Sequence, residues 1–408
     1  MVILNQYSSL MFSVLSSVWI LLIGSFSFGY GIGFPGMTIN DISHDFVFMR
    51  NDESTFSSLS SLFAIVGPFI SNYFMKTRGR KNTTKYLALL SIFSWGLLAM
   101  ANRIWHSFLH RALVGVTIGA YSSVIPTYIN EISPPSKKNI YGTMNQFGIA
   151  FGVFFCDFIG IYLNWIALSL FMCVLSFVFF ILLMNIPDSP VSQQSQDGPG
   201  PIFNIHLFSG KNLPLLMQGV LFMFFQQFGG VNAVLSNISA ILGEENKYSP
   251  CIAALAQCIS CFFSMMVVEK IGRLMTWRIS TLGASLSILF LGIYTQSIVS
   301  TISAFMYLFF FCFGLGPIPW MIAPDMFDDD VRSTASSILS SINWLFSFIV
   351  VYNWPKYVKL FGRSSMLFIF SAILFGGFFM GRSSLNGRKD QQRIHFQNFE
   401  ENNEEEIY

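Results

Sequence analysis

The sequence has 408 residues, of which 53% are hydrophobic and 11% charged, against about 45–50% and about 25% in soluble domains. With 46 Phe and a mean hydropathy of +0.56, a disordered or nucleic-acid-binding chain is excluded, because so few charges neither solvate a chain nor track a phosphate backbone. A net charge of +2 from 23 basic and 21 acidic residues implies no polyanionic partner, and the solvent that fits is a lipid bilayer.

Apolar runs long enough to cross the hydrocarbon layer, about 20 residues, are predicted at 11–34, 54–75, 85–101, 106–130, 141–163 and 165–186. The first is longer than a signal-peptide core and lacks a basic lead and a cleavage site, so it reads as a span. Pro187 to Lys211 is polar and holds the breaker Gly198-Pro199-Gly200-Pro201, a cytoplasmic linker. Further runs follow at 213–242, 249–268, 276–296, 300–323, 333–353 and 363–381. The tail ends in Glu400, Glu401, Glu404, Glu405 and Glu406 and reads as a solvated, disordered terminus. The expected fold is an all-α membrane protein of 12 transmembrane helices in two six-helix bundles, 1–186 and 213–381, with linker 187–212 and cytoplasmic tail 382–408.

With both termini inside, 16 of the 23 Lys and Arg fall on cytoplasmic segments, as the positive-inside rule requires. The densest group, Lys76, Arg78, Arg80, Lys81 and Lys85, lies between spans 2 and 3; Lys270, Arg273 and Arg278 occupy the equivalent loop of the second half. The register repeats: Gly79 precedes Glu131 by 52 residues and Gly272 precedes Asp325 by 53, while Lys138 and Arg332 each follow their acid by seven. Two parallel copies of one six-span unit account for this. All six cysteines lie in apolar stretches. Cys258 and Cys261 form a lone CxxC without a second pair or nearby His, so packing is the expected role and neither disulfide, metal nor cofactor is implied.

Two parallel repeats suggest rigid bundles that rock about a site near the midplane. The motifs sharpen this: Gly79-Arg80-Lys81, Arg111…Gly115…Gly119, Pro126-Thr127-Tyr128…Glu131, Pro187-Asp188-Ser189-Pro190, Gln226-Gln227…Gly230…Asn232, Gly272-Arg273 and Gly314-Leu315-Gly316-Pro317-Ile318-Pro319-Trp320. In this ordered set, from about residue 24 to 353, the chain resembles the sugar porter branch of the major facilitator superfamily. The resemblance implies alternating-access transport of a hexose or related sugar, in a cell-surface membrane, by a protein that is not an enzyme and is sufficient as a monomer.

The candidate substrate residues are Gln146, Gln226, Gln227, Asn232, Gln257, Asn343 and Trp320. Amides offer donors and acceptors without charge, which matches a polyol, and an indole suits the C–H face of a sugar ring. The competing reading is that such amides only tie helix to helix. Gln257 stands where relatives often carry Asn, and Ser236-Asn237 replaces a usual Tyr pair beyond the span 7 break. Gly229-Gly230 and the Gly314–Pro319 segment are expected to break spans 7 and 10, as gates require. The resemblance assigns Arg80, Lys81, Glu131, Lys138, Glu269, Arg273, Asp325 and Arg332 to an ionic network that pairs across the bundles on the inner side.

Gly29-Tyr30 is followed by Gly31, where proton-coupled relatives commonly carry Asp, which favours a facilitator. Asp157 is the acid placed well inside a span and needs a partner. Arg111 lies 18 residues above Ile129 and Asp157 lies 15 above Gly142, roughly 27 and 23 Å of rise. An Arg111–Asp157 pair is therefore expected, either static or as a protonatable coupling switch. Two other readings stay open: a sensor that binds sugar without transporting it, and a porter for an inositol or organic ion. No Walker, HExxH or GxSxG motif is present, which removes support for ATP-driven pumping and hydrolysis.

Overall fold

The structure is a computed structural model that describes residues 2–49, 52–134, 137–190, 204–238, 241, 248–294 and 298–380. The expectations for the Gly198–Pro201 breaker and the acidic tail lie outside the described residues, as do the side chains of Lys138, Glu269 and Asp325.

A backbone in lipid has to satisfy its own hydrogen bonds, and these apolar runs do so as helices. The first half comprises α1 (Val2–Asp45), α2 (Asp52–Ala64), α3 (Gly67–Ala99), α4 (Ile104–Ile132), α5 (Lys138–Gly160) and α6 (Trp165–Leu182). After a single 3-10 turn at Ile205–Phe208 come α7 (Asn212–Phe228), α8 (Val231–Ser236), α9 (Ser249–Ile293) and α10 (Ile298–Phe310). A π-helical turn, Phe311–Leu315, leads into α11 (Pro317–Asp325), α12 (Asp329–Phe361) and α13 (Arg363–Phe379).

Nine described stretches are long and apolar enough to cross a membrane, with Asp52–Ala99 counted as one. That stretch bends at Gly79 into two arms, α5 carries Asn145, Gln146 and Asp157 and so falls short of the same criterion, and α13 is short; with these the twelve expected spans are present. Three boundaries differ from the sequence reading. Span 2 is interrupted at Ile65-Val66, ahead of Pro68, where a continuous run is expected. The loops between spans 2 and 3 and between spans 8 and 9 shrink to one residue each, Gly79 (φ 81°, ψ 169°) and Gly272 (φ 78°, ψ 161°). Both sit in the positive-φ region that a side chain disfavours, so one glycine makes each bend, and the two bends match.

The buried apolar residues fall into two clusters. One joins residues of α1–α6 from Val18 to Ile186 and takes in Trp344; the other runs from Leu207 to Leu374 and takes in Ala150. The first half is bound by close backbone approach. Arg111, Gly115 and Gly119 form one stripe of α4 against the matching stripe Phe56, Ser60 and Ala64 of α2: Arg111 Nε donates to Phe56 O at 3.1 Å, and a Cβ at Gly115 or Gly119 would lie 2.4 Å from Ser60 O or 2.1 Å from Ala64 O. The Arg-Gly-Gly spacing is thus a helix-packing motif of the small-residue type.

Candidate functional site

At Gly230 (φ 87°) α7 gives way to α8, and the side chains flanking this break point at α12 and at the π turn of span 10. Gln226 Nε2 donates to Leu315 O at 3.2 Å and Gly316 O at 2.7 Å, carbonyls of the second broken segment. Gln226 Oε1 accepts from Asn343 Nδ2 at 2.6 Å; Asn343 Oδ1 accepts from Gln227 Nε2 at 3.0 Å; Gln227 Oε1 accepts from Asn232 Nδ2 at 2.8 Å. Asn232 spends its second N–H on Ser347 Oγ at 2.9 Å. Gln226, Gln227 and Asn343 are buried, and four amides on α7, α8 and α12 therefore form one chain of mutual bonds with no ionised partner. Each bond is between neutral groups and is exchangeable, one for one, with a hydroxyl.

The remaining candidates stand apart from this chain. Gln257, on α9, is buried; its Oε1 accepts from Cys312 Sγ at 3.5 Å and its Nε2 has no partner among the described residues, an unmet donor of the kind that a ligand oxygen would satisfy. Gln146 is half-buried on α5 and has no described bond to the amides; the neighbouring Asn145 instead accepts from Ser25 at 2.7 Å. Trp320 lies partly buried on α11 against the second-half core.

The expected Arg111–Asp157 pair does not form. The Arg111 guanidinium donates to Phe56 O at 3.1 Å, Gly31 O at 3.0 Å and Ser60 Oγ at 2.6 Å, and packs over the Phe56 ring at 5.3 Å. Asp157 has no described hydrogen-bond or ion-pair partner and lies beside Gly33, whose added Cβ would be 3.5 Å from Asp157 Oδ1. The reason is azimuthal: rise along a helix sets depth only, and α1 runs between the two groups, offering its Gly31 carbonyl to Arg111 and its Gly33 edge to Asp157.

On the charged side, Arg80 Nη2 pairs with Glu131 Oε1 at 2.8 Å, and Glu131 also accepts from Ser189 Oγ. This pair joins α3 to α4 inside the first half; Lys138, Glu269 and Asp325, which the resemblance assigns to the same network, have side chains outside the described residues. Lys81 does not join the pair: its backbone N–H donates to Asp188 Oδ1 at 3.1 Å and its Nζ to Met184 O at 3.0 Å, tying α3 to the end of α6. Arg332 donates to Phe327 O at 3.2 Å. Arg273 lies just past the Gly272 bend, matching Arg80 past Gly79.

What does cross between the halves is a seam that sequence reasoning missed. One face of α12 carries Ser333, Ser337, Ser341, Trp344 and Ser347 at helical spacing. Ser333 donates to Asn72 Oδ1 at 2.5 Å, Ser337 to Pro68 O at 3.4 Å, Ser341 to Ile65 O at 2.7 Å and Trp344 Nε1 to Ser122 Oγ at 3.2 Å, while Ser347 meets Ser61 at 3.2 Å. Intramembrane bonds of this kind average about 0.6 kcal/mol, so a row of them closes two bundles without welding them. Beside the amides lies a small cavity whose walls include Arg111, Ser57, Ser60, Asn232, Ser236 and Trp344. Asn232 borders both the cavity and the amide chain.

The family model described as Sugar (and other) transporter matches residues 18–199 and 193–383. The chain belongs to this family. Among its relatives, the facilitated trehalose transporter Tret1 of Bombyx mori is 25% identical over 87% of this chain and 80% of its own length. The sugar transporter ERD6-like 18 of Arabidopsis thaliana is 27% identical over 88% of this chain and 85% of its own. The fold is shared with the proton:xylose symporter XylE bound to 6-bromo-6-deoxy-D-glucose, at a TM-score of 0.78 and 21% identity over 90% of this chain and 95% of that one. The protein is therefore a multi-pass membrane protein with the 12-helix fold of the major facilitator superfamily.

Proposed function

We propose that this chain transports a sugar, a hexose or related molecule, across a bilayer by alternating access and as a facilitator. The observation that carries the reading is the closed chain of neutral amides, Gln226, Gln227, Asn232 and Asn343, at two helix breaks. A sugar arrives with hydroxyls that both donate and accept, so it replaces amide–amide bonds without burying charge. The unmet Gln257 Nε2 adds a donor, and Gln146 and Trp320 are assigned to the same path. We assign the rocking units to 1–186 and 213–381, the linker to 187–212 and the tail to 382–408, with both termini cytoplasmic and the plasma membrane as the site.

Facilitation is favoured because Gly31, rather than a carboxylate, meets Arg111. Proton coupling is the second reading, and the buried Asp157, without an ion-pair partner among the described residues, is what favours it. Uptake of labelled neutral sugars into proteoliposomes, with and without a pH gradient, tests both. Saturable flux that runs to equal concentrations and ignores the gradient is expected. Accumulation driven by the gradient and lost in Asp157→Asn would replace facilitation with symport, and tight binding without flux of any sugar would make the chain a sensor.

A further inference from the structure

We propose that the cavity beside Arg111 is a binding site for a monovalent anion. Arg111 is 1% exposed, and a guanidinium at such depth is costly without an opposite charge. Its three described acceptors are two peptide carbonyls and one hydroxyl, which satisfy donors and leave the charge uncompensated. Among the described residues no carboxylate lies within ion-pair distance, and Asp157 faces the other side of α1. Three bonds also leave two of the five guanidinium N–H groups unspent.

The cavity is the second observation. It is small, with room for one compact ion in the place of a water. Besides Arg111 it is walled by Ser57 of α2 and Ser236 of α8, hydroxyls without a described partner that come from opposite halves. A buried cation with unspent N–H groups, flanked by two hydroxyls able to donate, calls for an anion, since a neutral ligand would satisfy the hydrogen bonds and leave the charge unmet. The charge has two sources, an inorganic ion such as chloride or the carboxylate of a hexuronate, and the site's chemistry suits either. Because Ser57 and Ser236 belong to different halves, an occupied site also bridges the bundles.

Thermal unfolding of the purified protein in nanodiscs, titrated with chloride against isethionate as a bulky replacement anion, and separately with glucuronate against glucose, tests this. A saturable rise in midpoint with chloride, absent in Arg111→Gln and present in Arg111→Lys, is expected for an inorganic anion. A rise with glucuronate alone, showing the same Arg111 dependence, assigns the site to the carboxylate of a substrate. Should Arg111→Gln fail to fold, the Ser57→Ala/Ser236→Ala double variant decides, with an expected rise of about tenfold or more in the half-saturating concentration, as loss of charge-assisted bonds implies. No saturable effect of either probe, or an effect that both variants leave unchanged, overturns the proposal. The site rests only in part on the transport reading: anion binding without sugar flux would retire that reading and leave this one standing.

Discussion

The two halves share a plan and differ in chemistry. The first half is assembled by backbone-to-backbone approach, glycine of one helix against carbonyl of the next, and its buried ionisable groups, Arg111, Asp157 and His110, do not pair with one another among the described residues. The second half is broken at Gly229-Gly230 and at the π turn, and its centre is a run of amides on α7, α8 and α12. The halves repeat one scaffold, down to the paired bends at Gly79 and Gly272, but their buried polar groups are not paired. The breaks differ in place as well: the first half is interrupted in span 2 at Ile65-Val66, the second in spans 7 and 10.

The comparison breaks first at the glycine contacts. Gly29→Val would put a Cβ where the Ile149 carbonyl oxygen is 1.9 Å away; overpacking of this kind costs about 3 kcal/mol or more, and fluorescence-detected size exclusion should show loss of folded protein. If it stays folded, the first half is looser than described. Asn343→Ala removes the bonds to Gln226 Oε1 and Gln227 Nε2 and leaves those two with their long mutual contact of 3.5 Å. Two lost bonds at about 0.7–1.4 kcal/mol each should lower kcat/KM for sugar uptake roughly tenfold to hundredfold. Glu131→Gln tests the ionic contact within the first half. The pair is only 15% and 16% exposed, so its loss should lower the thermal unfolding midpoint by the equivalent of about 1 kcal/mol, measured on the protein in nanodiscs. A Cβ at Gly142 meets nothing within 4 Å, and Gly142→Ala should change the unfolding midpoint by the equivalent of about 0.5 kcal/mol or less.

The span count and the breaks of spans 7 and 10 were legible because apolar length and Gly-Pro clusters are local signals. So was the amide set at its centre: Gln226, Gln227, Asn232 and Asn343 are polar in runs where polarity is costly, and they meet. The Ile65-Val66 interruption was not legible, since a single Pro68 within an apolar run does not say whether the helix kinks or stops. Arg111 and Asp157 show the harder limit: residue spacing gives height along a helix, whereas partnership depends on which helix lies between. Lys81 illustrates a third, a charged side chain drawn to the Met184 carbonyl because that oxygen is a free acceptor at a helix end. The serine face of α12 was legible in principle, as small polar residues at helical spacing in an apolar span.

That serine face has a consequence for the conditions under which the bundles part. Bonds among hydroxyls, carbonyls, an amide and an indole carry no net charge, so added electrolyte does not weaken them as it weakens surface ion pairs, and nothing in the row ionises near neutrality. This stretch of the closure should accordingly open with the same ease in dilute and in concentrated salt, and in mildly acid as in neutral surroundings.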